Sequence, residues 1–496
     1  MKIKNLGLLF KKIADENNEI ACLNFGDGNE ITYGEIDKLS DQFSLYLKTI
    51  GIKENDRISI ESKKDIFSYV IFLSCLKLGI IYSFFDINDA KNRISHILSS
   101  VKPKKVFFFS KSQKHKIRKD SIIISDDFKK RIYSLKINFQ NFKYKNKYFD
   151  AYIMFTSGST GKPKGVLISH LNLIFFIKWI KKTFKIDRKT IMSNLNPLHF
   201  DNSVFDLYGS FFNVATLVPI EKNEILIPEL LIKKFQLSNC KIWFSVPSLL
   251  DLILKIGGYQ IFKKHKFKKI IFGGERFPLQ SVKKIFPITK KTKFFNVSGP
   301  TECTCMCSSY ELKSKDLKDK DVYVGKISNY FNYRIVRLPD EKNKKKKIGE
   351  LYLEGPAVSS GYFQDKFKTR EKFYTKGNTM GYKTGDIVYE NKNKLLKIIG
   401  RVDNQIKFLG HRIELEEIEK VFIKKYKVKN CIAVLKNKKQ YPFKKIVLIL
   451  DKKIGNVEKI KKEISLFLPK YMIPEDINFV NKFNYNVNGK LDRTKY

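Results

Sequence analysis

The chain has 496 residues, 43% of them hydrophobic, which is enough for a large core and two or more domains and excludes a disordered protein. Its formal net charge is +46, yet the lysines are scattered among Ile, Asn, Phe and Tyr along the whole length, which argues against a dedicated nucleic-acid binder. Seven irregularly spaced cysteines do not make a secreted disulfide framework, so a reducing, cytoplasmic setting is expected.

In chain order, MKIKNLGLLFKKIADE is interrupted by Lys11 and Lys12 and reads as an amphipathic helix, not a secretion signal. Strand-like runs follow near Ile58, Phe107, Ile153 and Ile271, with helical spacing between several of them, as in IFSYVIFLSCLKLG from Ile66. This alternation predicts α/β layers with mainly parallel strands. LNLIFFIKWI from Leu171 is broken by Lys178 and is shorter than the roughly 20 residues of a membrane span, so no membrane insertion is expected. DEKNKKKK, Asp340 to Lys347, reads as a solvated loop tip between two strands. Near Gly400 the texture changes. A helix from about Glu414, a strand-like KKIVLILD and a helix from Val457 make a second unit. The predicted architecture is a large N-terminal α/β domain of layered sheets and helices, residues 1–400, with a smaller mobile α+β C-terminal domain, residues 401–496, the boundary falling near Arg401 to Asp403.

Three stretches carry chemistry on their residue types alone. In FTSGSTGKPKGV, Phe155 to Val166, small residues let backbone N–H groups converge on an oxyanion while hydroxyls and lysine add donors and charge. It is not a Walker loop, because only two residues separate Gly158 from Gly161 and Pro163 turns Lys162 away from a helix; a glycine-serine turn without a ligand is the plain alternative. In ECTCMCS, Cys303, Cys305 and Cys307 would share one face of a strand, but no nearby His or fourth Cys completes a zinc site, so packing is expected. Asp201 in FDNSVF stands where it could cap the helix SVFDLYGSFF or serve a buried cation.

Taken together, TSGSTGKPKGV, FNVSGPTE (Phe295 to Glu302), YKTGD (Tyr382 to Asp386), GRVDNQIKFLGHRIELEEIE (Gly400 to Glu419) and NGKLDR (Asn488 to Arg493) resemble, in order, the motifs of the adenylate-forming superfamily. That superfamily includes acyl-CoA synthetases, luciferases and the adenylation domains of nonribosomal peptide synthesis. ITYGEIDKLS and GELYLEGPAVSSGYF agree, and details in LPKYMIP and GPAVSSGY are similar to D-alanine:carrier-protein ligases.

The resemblance implies an ATP-dependent ligase that joins a small amino acid to AMP with release of pyrophosphate, then passes it to the phosphopantetheine thiol of a separate carrier protein. It implies an ATP site made by Thr156, Ser157, Gly158, Ser159, Thr160, Gly161, Asn296, Val297, Ser298, Gly299, Pro300, Thr301, Asp386, Gly400 and Arg401. Glu302 would hold Mg2+, Asp403 would be the hinge, and Lys490 and Lys164 would serve catalysis. Asp201 would bind the substrate ammonium, with Lys490 near the carboxylate, and Phe205, Ile271, Gly273, Val297, Cys305 and Met306 would shape the side-chain pocket. Two positions depart from the relatives: Gly273 replaces a usual cysteine, and Ser298 a usual adenine-stacking aromatic. An acyl-CoA synthetase or a catalytically silent nucleotide binder is the alternative.

Overall fold

A computed structural model describes residues 5–26, 28–109, 121–137, 150–158, 162–319, 321–338, 347–437, 444–485 and 491–496. The lysine-rich 340–346 therefore lies outside the described residues, while Lys347 opens a strand. Leu6–Glu16 is helical, as its spacing predicts, and Asn5 caps it.

The apolar run Ile66–Leu78 forms a helix buried on every side. Asp65 caps its start by accepting the Phe67 N–H, and Gly79 ends it at a φ of 68°. A helix without a polar face belongs between layers, and this one packs on Leu6–Glu16 and Tyr33–Thr49. Its one buried cation, Lys77, is matched by Asp37 and Asp41 at 2.6 and 2.7 Å.

Three sheets make the large domain. The first runs Ser121–Ile123, Lys105–Phe108, Arg57–Glu61, Ile81–Phe85, Asp150–Thr156, Lys164–Ser169, parallel except for its last pair. The second has nine strands with a parallel centre, Lys293–Ser298, Lys269–Gly273, Ile242–Ser245, Ile191–Asn194, Thr216–Pro219 and Ala21–Asn24 in spatial order. The third departs from the predicted parallel pairing: Asn332–Val336, Lys347–Glu354, Thr379–Glu390, Phe373–Lys376 and Leu396–Arg401 are all antiparallel. Short connections suffice for antiparallel neighbours, whereas parallel ones need a crossover helix.

After Arg401 the chain builds a small unit with its own core of Ile413, Ile418, Phe422, Leu448, Ile464 and Met472. It comprises a hairpin, Gln405–Phe408 with His411–Glu414, the helices Leu415–Tyr426 and Val457–Ile464, and a sheet of Cys431–Asn437, Lys444–Leu450 and Asp476–Phe479. All seven cysteines are free and buried. Among the described residues, no helix is long and apolar enough to cross a membrane.

Candidate active site

Thr156 and Lys164 are paired across two antiparallel strands, so the glycine-serine loop is the turn of a hairpin and its lysine opens the returning strand. This explains why Pro163 is tolerated: no helix follows. Gly158 cannot carry a side chain, because a Cβ there would lie 2.0 Å from the Lys162 carbonyl. The Thr156 Oγ1 is buried without a hydrogen-bond partner, and an orphaned hydroxyl of this kind is costly unless something outside the chain uses it. Ser159, Thr160 and Gly161 lie outside the described residues.

Around this turn opens a cavity of about 1380 Å³ lined from both domains. Of the expected ATP-site residues, Thr156, Ser157, Val297, Ser298, Gly299, Pro300, Thr301, Asp386 and Arg401 line it. Gly158, Asn296 and Gly400 do not: the Gly158 N–H donates to Glu417 Oε2 at 3.2 Å, the Asn296 amide donates to the Tyr323 carbonyl at 2.9 Å, and Gly400 is taken up in the strand opposite Ile387. Asp386 and Arg401 face each other across neighbouring strands, with the Arg401 guanidinium donating to both Asp386 and Asp403. Gly385, at a φ of 76°, makes that possible, since a Cβ would lie 2.7 Å from Arg401 Nη2.

The expected metal acid, Glu302, is fully buried, yet it is held ionised. Burial opposes its charge, but Arg412, then Lys164 and the Tyr362 hydroxyl outweigh that and hold the carboxyl down at about 2. Arg412 Nη1 donates to Glu302 Oε2 at 2.8 Å and Tyr362 to Oε1 at 2.7 Å, while Lys164 Nζ stands 4.0 Å away. Lys164 is itself buried over the Tyr362 ring; desolvation first, and Arg412 second, bring its pKa down to about 8 against the pull of Glu302 and Glu414. Lys490 lies outside the described residues.

Asp201 occupies the position just before the helix Asn202–Phe211 but does not cap it; its carboxylate instead accepts from the Thr301 hydroxyl. Burial raises its pKa, countered by Thr301 and Lys407. Gly273, Val297, Cys305 and Met306 share the cavity wall with it. Phe205 and Ile271, expected to shape the pocket, stand behind that wall: both are fully buried, Phe205 packing on Phe244 and Phe184 at ring separations of 4.8 and 5.3 Å. Nor do the three alternating cysteines lie on a strand. Thr304 and Cys305 have φ values of 57° and 73°, forming a tight turn secured by the Thr304 hydroxyl on the Ala357 carbonyl. The turn presents Cys305 to the cavity and buries Cys303 away from it. Among the described residues no cluster could hold a metal by itself. A Cβ on Gly273 would come 2.7 Å from Val297 Cγ2. Since a β-branched neighbour cannot easily swing aside, Gly273→Ala should cost about 1–2 kcal/mol of stability, read as a lower melting temperature; an unchanged one would mean the wall yields.

Sequence reasoning did not single out Arg412, Glu414, Glu417, Glu275 or Tyr362. The first three lie inside the quoted GHRIELEEIE, but their partners are remote in sequence. Glu275 accepts the Gly410 N–H and, at 2.8 Å, the Ser248 N–H, tying the small domain to the large one. Gly410, at a φ of 78°, packs on Val246, and His411 is sandwiched between Phe200 and Tyr471.

Compared with known proteins, residues 10–363 match the family described as AMP-binding enzyme. The chain belongs to that family. This AMP-binding enzyme is 28% identical over 479 residues to a D-alanine--D-alanyl carrier protein ligase of Bacillus licheniformis, covering 94% of each chain. It is 28% identical over 498 residues to the same-named protein of Listeria monocytogenes, covering 97% of this chain and 96% of that one. Among solved structures it is similar to an artificially fused adenylation-PCP di-domain, NpsA-ThdA from Klebsiella oxytoca, with a TM-score of 0.82, 19% identity and coverage of 96% and 94%. It is also similar to the Vibrio cholerae adenylation domain AlmE in complex with glycyl-adenosine-5'-phosphate, with a TM-score of 0.80, 20% identity and coverage of 100% and 98%. These likenesses show the fold: a large N-terminal and a small C-terminal domain.

Proposed function

We propose that this AMP-binding enzyme is a ligase that activates a small amino acid with ATP and hands it to the phosphopantetheine thiol of a carrier protein supplied as a separate chain. The observation that carries the reading is one cavity lined by the anion-binding turn at Thr156 and Ser157, the Asp386–Arg401 pair and the carboxylate of Asp201. The relatives named as carrier protein ligases, matched along almost their whole length, support it.

In the first half-reaction a carboxylate oxygen of the amino acid attacks the α-phosphorus of ATP, the bond from that phosphorus to the β-bridging oxygen breaks, and pyrophosphate leaves. Asp201 holds the ammonium, so the carboxylate is presented to the phosphate. The 156–161 turn and Lys164 receive the leaving phosphates, and Asp386 accepts from the ribose hydroxyls. Lys490 places its charge between carboxylate and α-phosphate. Glu302, a lone ionised carboxylate, suits Mg2+, which is commonly held through one or two carboxylates together with substrate phosphates; when bound, the ion neutralises phosphate charge. In the second half-reaction the thiol sulfur attacks the acyl carbon, the carbon–oxygen bond to AMP breaks and the thiol proton passes to solvent. We place the hinge at Asp403, between units of residues 1–400 and 401–496.

ATP–pyrophosphate exchange against a panel of D- and L-amino acids tests the reading. Stimulation by at least one amino acid, and none by the matching acid lacking the amine, is expected; exchange driven only by fatty or aryl acids would overturn it. If Lys164 must be cationic to receive phosphates, kcat/KM for ATP should fall as pH rises through about 8. Lys164→Arg, which keeps its charge at higher pH, should extend the plateau; an identical alkaline limb in both proteins would remove Lys164 from that role.

A further inference from the structure

Asp201 ends a loop that leaves the strand Ile191–Asn194 of the second sheet and runs along the cavity wall, and a short segment of the first sheet grips that loop at two points. At the loop's start the ladder between Ile191–Asn194 and Thr216–Pro219 opens, for the Ile220 N–H reaches the Asn194 carbonyl only at 3.4 Å. Backbone carbonyls that leave a ladder inside a protein need new donors, and Lys64 supplies them. Its ammonium donates to the carbonyls of Asn194 at 2.5 Å, Leu195 at 3.1 Å and Ile220 at 2.6 Å, which engages all three of its N–H bonds. Burial lowers the pKa of this ammonium, while Asp206, Glu221 and Glu224 oppose the shift. Nearer the loop's end, Ser62 Oγ and His199 Nδ1 lie 2.9 Å apart. Ser62 and Lys64 are held firmly themselves: the Ser62 N–H donates to the Phe85 carbonyl at 2.8 Å, the Lys64 N–H to Glu221 Oε1 at 3.1 Å, and Asp65 caps the helix that follows. From the opposite side Asp206 accepts from the side-chain amides of Asn194 and Asn196 at 2.9 and 3.1 Å.

We propose that Lys64, seconded by Ser62, is a positioning residue for amino-acid recognition: by holding the loop from Leu195 to Asp201 it sets where the Asp201 carboxylate meets the substrate ammonium, without touching the substrate itself. The proposal rests on the ligase reading given above. The loop belongs to neither sheet, and Asp201 does not cap the helix that follows, so the course of the loop is decided by what grips it. Lys64 stands on the first sheet and Asp201 on a loop of the second, and the ammonium thereby locks the two sheets together beside the substrate. Removing it strips three carbonyls of their donor, and the loop relaxes. The partner of the substrate ammonium then moves off, although its own charge is intact. The ribose acid Asp386 and its partner Arg401 belong to the third sheet, which Lys64 does not touch, so the nucleotide keeps its site.

Amino-acid-dependent pyrophosphate exchange by the full chain carrying Lys64→Gln tests this, with ATP binding followed by calorimetry and a melting curve to establish folding. The KM for the amino acid should rise about tenfold or more, while the Kd for ATP stays within about twofold. In an Asp201→Ala background, where there is no carboxylate left to place, Lys64→Gln should raise that KM by less than about twofold further. Losses that simply multiply, or a KM in Lys64→Gln within about twofold of the parent, would overturn the proposal. Lys64→Arg, which keeps the cation and its donors, should recover most of the affinity; a KM no better than that of Lys64→Gln would count against the assignment equally. Should Lys64→Gln fail to fold, Ser62→Ala carries the test, since it removes only the second grip: a KM for the amino acid raised about threefold at unchanged ATP affinity is expected, and an unaltered KM would overturn the proposal. Exchange that no amino acid stimulates in the parent would instead sink the ligase reading, and this proposal with it.

Discussion

Glu302→Gln is expected to lower amino-acid-dependent pyrophosphate exchange by about a hundred- to a thousandfold, or ~3–4 kcal/mol, a size typical of removing one electrostatic stabiliser from an enclosed site. The substitution is nearly isosteric, so the bond from Tyr362 to Oε1 has a replacement acceptor, whereas Arg412 and Lys164 lose their counter-charge. Exchange within about threefold of the parent would show that this acid is not used for phosphate charge. The same residue carries a pH signature. Its carboxyl lies at about 2 in the folded chain against an ordinary 4.5, so the stability it contributes is present above about 4.5 and is lost as pH falls toward 2. The acid limb of the melting-temperature profile should be shallower in Glu302→Gln; superimposable limbs would contradict the ion pair.

Asp201→Ala should weaken use of the amino acid by about 2–4 kcal/mol, since a cation taken from water loses its partner. The loss should appear in kcat/KM for the amino acid, with ATP binding by calorimetry almost unchanged. Stability should shift little: the carboxylate does not cap its helix, and the Thr301 hydroxyl that it releases faces a cavity wide enough for water. An equal loss of activity toward a carboxylic acid lacking the amine would return Asp201 to a structural role.

How much of this was legible in the sequence follows the distance over which each feature is decided. Thr156, Ser157 and the YKTGD acid Asp386 are local features, set by small residues and a strand end, and these three line the cavity. Asp386 and Arg401 are 15 residues apart yet opposed, because two adjacent antiparallel strands connect them. The cysteine alternation misleads, since a period of two presumes extended backbone and the left-handed pair Thr304 and Cys305 breaks it. Phe205 and Ile271 were placed in the pocket, but whether a buried aromatic or aliphatic group lines a cavity or backs it depends on neighbours such as Phe184 and Phe244. Arg412 with Glu302, and Glu417 with Gly158, join residues separated by 110 and 259 positions. Nothing in either partner's local sequence announces the other; only the docking of two domains does.

The seven sequestered thiols have a practical use. Burial pushes the thiols of Cys240 and Cys307 up to about 12 and holds those of Cys22, Cys75, Cys303, Cys305 and Cys431 well above the ordinary thiol value, so all seven stay protonated and sluggish toward alkylating reagents near neutrality. Cysteines introduced at exposed Lys233 and Lys424, one on each domain, would therefore take up dye against a quiet background, with no need to strip the native sulfur first. A fluorescence ruler between them would report whether the distance from one domain to the other changes when nucleotide is added.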